Sequence, residues 1–129
     1  CLCGEVGYEI TGAPVRTLNC HCRRCRLGRA AAHTTNVFYK LDQFSWVRGA
    51  SLVTEFKVPD AQFHTVAFCS RCGGKVPRPS PQRGVVVVPA GSLDTDPGMR
   101  AQAHIFVADK APWFDITGPL PQFPAMPPG

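Results

Sequence analysis

The chain has 129 residues, of which 44% are hydrophobic and 18% charged, and its formal net charge is +5. This length is typical of one globular domain and excludes several independent cores. The sequence has no run of about 20 apolar residues, as a membrane-spanning helix needs, and its first residues lack the basic-then-apolar pattern of a secretory signal. We therefore expect a soluble, cytoplasmic protein.

Most of the chain carries strand patterns. Residues 6–10 alternate apolar and polar side chains, residues 15–20 form a second apolar run, and the Gly12-Ala13-Pro14 break between them favours a hairpin. Residues 23–32 predict one or two helical turns. Further strands are predicted over 35–39, 44–47, 52–58, 63–69, 85–89 and 104–107. The predicted fold class is therefore mainly β, built of small antiparallel sheets.

The end of the chain is rich in proline from Gly118 onward. Prolines prevent a helix there, so we expect an extended segment along the surface. We accordingly divide the chain into a domain over residues 1–117 and a proline-rich C-terminal extension over 118–129. A proline-rich ligand for a partner protein is the alternative, but no basic residue flanks the prolines to orient such a contact.

Seven cysteines are the strongest signal in the chain, and they fall into three tight groups. An odd number of closely spaced cysteines favours metal ligands over a disulfide framework, and zinc is the metal expected for thiolates. Cys20, Cys22 and Cys25 lie close enough in sequence to hold one ion together. The remaining four then form a closed, structural zinc site, and they are Cys1, Cys3, Cys69 and Cys72.

The group of Cys20, Cys22 and Cys25 offers three sulfurs to an ion that prefers four ligands. Catalytic zinc sites have this composition, with water or substrate in the fourth position. We therefore expect an open, catalytic site, and these three cysteines are the candidate catalytic residues. The alternative is closure by a histidine. His21 lies between two ligands and is expected to point away, which leaves His33, His64 and His104.

Arginines are concentrated around the same three cysteines. Three thiolates on Zn²⁺ carry net negative charge, which nearby cations would offset. A guanidinium also matches a carboxylate, so we expect substrate contacts from Arg23, Arg24 and Arg26. The alternative is a solvated basic face. Nucleic acid is not an expected partner, because none of the common nucleic-acid-binding motifs is present.

Several segments together resemble the glutathione-dependent formaldehyde-activating enzyme family. The segments that carry the resemblance are Cys1-Leu2-Cys3-Gly4, Cys20-His21-Cys22-Arg23-Arg24-Cys25-Arg26, Phe68-Cys69-Ser70-Arg71-Cys72-Gly73, Gly91-Ser92-Leu93-Asp94, His104-Ile105-Phe106-Val107 and Lys110-Ala111-Pro112-Trp113. The resemblance implies a β-tent fold, with small antiparallel sheets joined by a structural zinc site. It also implies the same division of the cysteines into one structural and one catalytic zinc site.

The activity that the resemblance implies is that of a carbon–sulfur lyase acting on glutathione and formaldehyde. The thiol of glutathione, or a similar small thiol, would add to formaldehyde or another small aldehyde and give an S-hydroxymethyl adduct. One alternative is a non-catalytic zinc scaffold that binds a protein or nucleic acid through its basic face. Another is a redox sensor whose exposed cysteines oxidise reversibly.

Overall fold

A computed structural model describes residues 1–127. The strands in this range are Gly7–Ile10 (β1), Arg16–Cys20 (β2), Thr34–Lys40 (β3), Phe44–Arg48 (β4), Val53–Lys57 (β5), Thr65–Cys69 (β6), Arg78–Ser80 (β7), Val85–Pro89 (β8) and His104–Ile105 (β9). The α-helix is Arg23–Arg29 (α1), and short 3₁₀ helices cover Leu41–Gln43, Ala50–Leu52, Pro81–Arg83, Ala90–Ser92 and Val107–Asp109. The fold is mainly β, as predicted.

The strands form three small sheets. The largest has the order β7-β8-β3-β2-β9, and two-stranded sheets pair β1 with β4 and β5 with β6. Every pairing is antiparallel except that of β2 with β9. In the β2–β3 register Cys20 lies opposite Thr34. Small sheets of this kind, with cysteine clusters between their ends, agree with the predicted β-tent.

The predicted hairpin of the first two strands is wrong. β1 pairs with β4, and β2 pairs with β3 and β9. The amide of Thr11 still bonds the Gln43 carbonyl at 3.0 Å, beside the β1–β4 ladder, whereas the amide of Val15 bonds the Phe38 carbonyl of β3 at 2.7 Å. Gly12, with a φ of +81°, therefore lies where the chain passes from one sheet to another. A local turn signal cannot distinguish this crossing from a hairpin.

The buried side chains form three clusters, each associated with one part of the fold. Val37, Val86 and Val88 fill the middle of the large sheet. A second cluster, which includes Val6 and Cys69, lies beneath the first residues of the chain. The third cluster surrounds two cysteines and consists of Leu18, Cys20, Cys25, Ala103 and Ile105. The short β-branched strands thus place both groups of cysteines against apolar cores.

The last described residues run beside β9. The amide of His104 donates to the Pro121 carbonyl at 2.8 Å, and the amide of Phe123 donates to the His104 carbonyl at 2.9 Å. Residues 128 and 129 of the predicted extension lie outside the described residues, and the division at residue 118 stays a prediction. Within residues 1–127, no helix is long and apolar enough to cross a membrane.

Candidate metal centres and the adjoining cavity

Four cysteines from distant parts of the chain meet at one place. Their sulfur atoms all lie within 4.8 Å of one another, and they belong to Cys1, Cys3, Cys69 and Cys72. The Sγ atom of Cys3 lies 3.7 Å from that of Cys1 and 3.9 Å from that of Cys69. Cys69 ends β6 and is fully buried, whereas Cys3 is exposed. The cluster therefore joins the start of the chain to the end of β6.

Backbone amides surround the sulfurs of this four-cysteine cluster. Such N–H groups favour the thiolate, which is the form that binds metal. The amides of Cys3 and Gly74 lower the pKa of Cys72 to about 6. The donations are from Val6 N to Cys1 Sγ at 3.3 Å, from Arg71 N to Cys69 Sγ at 3.4 Å and from Gly74 N to Cys72 Sγ at 3.4 Å.

Gly74 leaves no room for a side chain at this cluster. A Cβ atom there would lie 2.8 Å from the backbone nitrogen of Leu2 and 3.3 Å from the Cys72 sulfur. We expect Gly74→Ala to lower the free energy of unfolding by about 1–3 kcal/mol, because the backbone of residue 2 must shift. Gly91→Ala is the matched control, since a Cβ at Gly91 meets no atom within 4 Å. Urea denaturation measures both, and equal stabilities would contradict the steric argument.

The second group, called here the cysteine triad, is local. It consists of Cys20 at the end of β2, Cys22 at the N-cap of α1 and Cys25 within α1, and its sulfurs also lie within 4.8 Å of one another. The amide of Cys25 donates to the Cys22 sulfur at 3.3 Å and so caps the helix. The strand end and the first helical turn together bring the three sulfurs to one point.

Hydrogen bonds among the three triad thiols couple their pKa values. Hydrogen bonds with Cys20 and Cys25 hold the pKa of Cys22 far below the usual thiol range, and hydrogen bonds with Cys22 and Cys25 raise the pKa of Cys20 strongly. At Cys25, the Cys20 thiol and the Thr34 hydroxyl lower the pKa, but Cys22 and burial outweigh them and raise it. The three thiols therefore titrate as one coupled group.

Both cysteine groups have the donor type and spacing that a metal ion needs. Thiolate sulfur is a preferred donor for Zn²⁺, in closed Cys₄ sites and in sites that keep one position for water or substrate. The clusters could thus hold two ions, which is consistent with zinc. In the described part of the chain, no histidine nitrogen or carboxylate oxygen joins the triad within 4.8 Å.

Three histidines form a separate cluster, in which His21 and His104 are buried and His33 is half-buried. His21 is fully buried, and its Nε2 lies 2.8 Å from Nδ1 of His104, while the ring of His33 lies 4.8 Å away between centroids. Burial, followed by the charges of His33 and His104, lowers the pKa of His21 to about 4. Burial also lowers the pKa values of His33 and His104. These rings are therefore neutral near pH 7.

A small cavity of about 30 Å³ adjoins the triad at Cys25. The cavity lies between α1 and β6. These two elements pack closely, since a Cβ atom at Gly28 would come within 3.2 Å of the Val66 side chain. Burial lowers the pKa values of Arg29 and Arg78, yet arginine stays charged in proteins. The polar residues that line this cavity are Arg24, Arg29, Thr34, Asn36, His64 and Arg78.

The three arginines predicted from the sequence differ in their surroundings. Arg23 is exposed. Arg24 forms a salt bridge of 3.3 Å to Asp60 and borders the small cavity. Arg26 donates through Nε to the Asp109 carbonyl at 3.1 Å. Their contacts with a substrate stay a prediction.

Two arginines at the small cavity were missed by the sequence analysis. Arg29 follows Cys25 by four residues, so helical periodicity could have placed both on one face of α1. Arg78 comes from β7, a three-residue strand that contains Pro79 and has no periodic signal. His64, considered only as a zinc ligand, is another lining residue, and burial lowers its pKa.

A larger groove of about 1130 Å³ shares Arg29 and Thr34 with the small cavity. It runs along β1 and the segment after β8, where the Tyr8 hydroxyl lies 2.6 Å from the Ser92 hydroxyl. Cys1 of the four-cysteine cluster also lines it. The groove therefore borders both the four-cysteine cluster and the small cavity, and it offers space for a ligand larger than the small cavity can hold.

Comparison with protein families shows which family the chain belongs to. A family model described as glutathione-dependent formaldehyde-activating enzyme matches residues 1–109. The chain belongs to this family. The match confirms the resemblance seen in the sequence, and it includes both cysteine groups and all the lining residues of the small cavity. Formaldehyde activation is thus the general activity of the family to which the chain belongs.

Comparison with solved structures supports the fold. A crystal structure of a Rhodobacter sphaeroides protein is 22% identical, with a TM-score of 0.56, and the match covers 74% of this chain and 86% of that chain. At this identity the similarity shows that the two folds are alike. The comparison with curated proteins finds no match.

Proposed function

We propose that the protein is a zinc-dependent enzyme of the carbon–sulfur lyase type, which adds glutathione or a similar thiol to formaldehyde or another small aldehyde. The observation that carries the proposal is the triad of Cys20, Cys22 and Cys25, which could hold a metal ion. The chain belongs to a family described by formaldehyde activation, so we assign aldehyde chemistry to this site. These three cysteines would hold the catalytic zinc. The four-cysteine cluster would hold a structural zinc. We also propose a cytoplasmic location, where thiols stay reduced.

The reaction needs a thiolate and an electrophilic carbon. Zinc held by Cys20, Cys22 and Cys25 would supply a Lewis acid that favours the thiolate form of the substrate near neutral pH. An electron pair of the substrate sulfur forms the new bond to the aldehyde carbon, and the carbonyl π pair moves to oxygen. That oxygen takes up the proton which the thiol released, so the product is an S-hydroxymethyl thioether.

The residues of the chain contribute electrostatics and position. Cations near the triad favour negative charge on its sulfurs, and the Cys25 thiolate interacts favourably with both Arg29 and Arg78. Of the three arginines predicted to contact substrate carboxylates, Arg24 borders the small cavity. We propose it as the first of that set to contact the substrate, because Arg23 and Arg26 do not line the cavity.

Reduced glutathione is expected to bind the zinc-loaded protein at least about tenfold more tightly than S-methylglutathione, which offers no thiolate. The affinity for glutathione should rise as the pH approaches the thiol pKa of about 8.5, because deprotonation precedes metal binding. Titration calorimetry from about pH 6 to about pH 9 measures both effects. The Cys22→Ser variant is the control, since it should lose the difference between the two ligands.

Two results would contradict this function. Equal affinities for glutathione and S-methylglutathione would mean that the sulfur is not the contacting atom. Formaldehyde consumption at the rate of the uncatalysed addition, with glutathione, cysteine and coenzyme A each tested, would remove the enzymatic proposal. A zinc scaffold that binds a protein or nucleic acid would then be the better explanation, and salt-dependent nucleic-acid binding would support it.

A further inference from the structure

The small cavity beside Cys25 contains polar atoms that lack partners. Thr34 is only 5% exposed, and its hydroxyl weakly favours the Cys25 thiolate but has no hydrogen bond of normal geometry to any described residue. Nε of Arg29 and Oδ1 of Asn36 likewise have no such hydrogen bond, and all three residues line this cavity. Buried polar atoms in proteins nearly always have a partner. Three such atoms around one cavity indicate that a polar group belongs inside it.

The charges around the cavity indicate the sign of that group. Within residues 1–127, neither Arg29 nor Arg78 forms a salt bridge. One guanidinium nitrogen of Arg78 donates to the carbonyls of Phe63 at 2.9 Å and Thr65 at 3.1 Å, which fixes this side chain and leaves its other N–H groups available. Water could satisfy hydrogen bonds here. Three thiolates on a zinc ion at the triad would offset one of the two half-buried cations, and water would not balance the other. An anion does both.

The volume of the cavity limits the size of the anion. About 30 Å³ admits roughly two water-sized groups, which corresponds to the two oxygens of a carboxylate. Guanidinium groups bind carboxylates with two parallel hydrogen bonds. The hydroxyl of Thr34 can donate as well, and the amide of Asn36 donates when its NH₂ faces the cavity. The available donors therefore suit a carboxylate.

We infer that this cavity is a carboxylate subsite, and that the thiol substrate carries a carboxylate near its sulfur. The second half of the inference rests on the proposed function, whereas anion binding does not. Cys25 belongs to both the triad and the cavity wall. A bound carboxylate therefore lies next to the place proposed for the sulfur. Arg29 and Thr34 also border the large groove, which would accept the rest of a longer thiol.

Formate is a direct probe, because it is a carboxylate without a thiol. Titration of the zinc-loaded protein with formate should give saturable binding, which Arg29→Gln should weaken by about tenfold. Within the described residues, Nε of Arg29 has no hydrogen-bond partner and its guanidinium forms no salt bridge, so its replacement should leave the fold intact. Arg78→Gln should have the same effect. Arg100→Gln is the matched control, since it removes an equal charge from an exposed ion pair with Asp96.

Two thiols test the link to the substrate. Mercaptoacetate should exceed 2-mercaptoethanol in kcat/KM by about tenfold, and Arg29→Gln should abolish that preference while Arg100→Gln preserves it. Absence of formate binding, or equal formate binding by all variants, would overturn the subsite. Equal use of the two thiols would overturn the carboxylate preference but leave thiol addition standing. If neither thiol reacts, the proposed function fails, and the formate titration still decides whether the cavity binds carboxylates.

Discussion

The Cys72→Ala variant is expected to unfold, or to melt about 10 °C or more below the wild-type protein. Structural zinc sites contribute folding free energy directly, and each sulfur is one quarter of this site. The cluster also connects Cys1 to the end of β6, so its loss releases the start of the chain. Thermal melts followed by circular dichroism, with zinc content measured on the same samples, test the expectation.

Ser70→Ala is the control for this variant. Ser70 lies in the same turn and is exposed, and its only hydrogen bond given by the structure is from its backbone amide to Leu52. Its replacement should change neither the melting temperature nor the zinc content. Cys1→Ser should behave like Cys72→Ala. Wild-type melting temperatures in both cysteine variants would remove the structural role of the cluster.

The Cys22→Ser variant is expected to keep its fold, lose one equivalent of zinc and reduce thiol addition to the uncatalysed rate. All three triad cysteines lie within one short segment, so no distant parts of the chain separate when the ion is lost. Serine is also a good N-cap residue, and its hydroxyl can replace the Cys22 sulfur as acceptor for the amide of Cys25. Metal analysis, melting curves and formaldehyde consumption measure the three effects.

The comparison between Cys22→Ser and Cys72→Ala is the internal control. The first should change activity with a small change in melting temperature, and the second should change the melting temperature most. Two zinc ions retained in Cys22→Ser would show that Cys22 is not a ligand. Aggregation of Cys22→Ser, with a stable Cys72→Ala protein, would mean that the roles of the two sites are exchanged.

The sequence was most informative where its signals are local. Alternating or continuous apolar runs between turn signals predicted eight of the nine strands in the described range, because strands bury one or both faces. The grouping of the cysteines followed from counting ligands, since a metal accepts a fixed number of them. Clustering of the sulfurs of Cys1 and Cys69 agrees with that count, although 68 positions separate the two residues.

Pairing and cavity residues were harder to predict, because they depend on contacts between distant segments. The Gly12-Ala13-Pro14 break has the composition of a turn, yet the partner of β1 is set by packing against β4. Arg78 reaches the small cavity only because β7 pairs with β8, and nothing local to residues 78–80 indicates that pairing. The burial of the Arg78 side chain near Cys25 depends on the same long-range pairing and could not be predicted from local sequence.

The two cysteine groups differ in when they can assemble during folding. The triad sulfurs are close in an unfolded chain, because only short loops separate Cys20, Cys22 and Cys25. The four-cysteine cluster must first close a loop of more than 60 residues between Cys3 and Cys69. A nascent chain can therefore capture an ion at the triad while its later strands are still being synthesised. An ion at the four-cysteine cluster would bind only after the tertiary fold has formed, and it would then stabilise a nearly complete molecule.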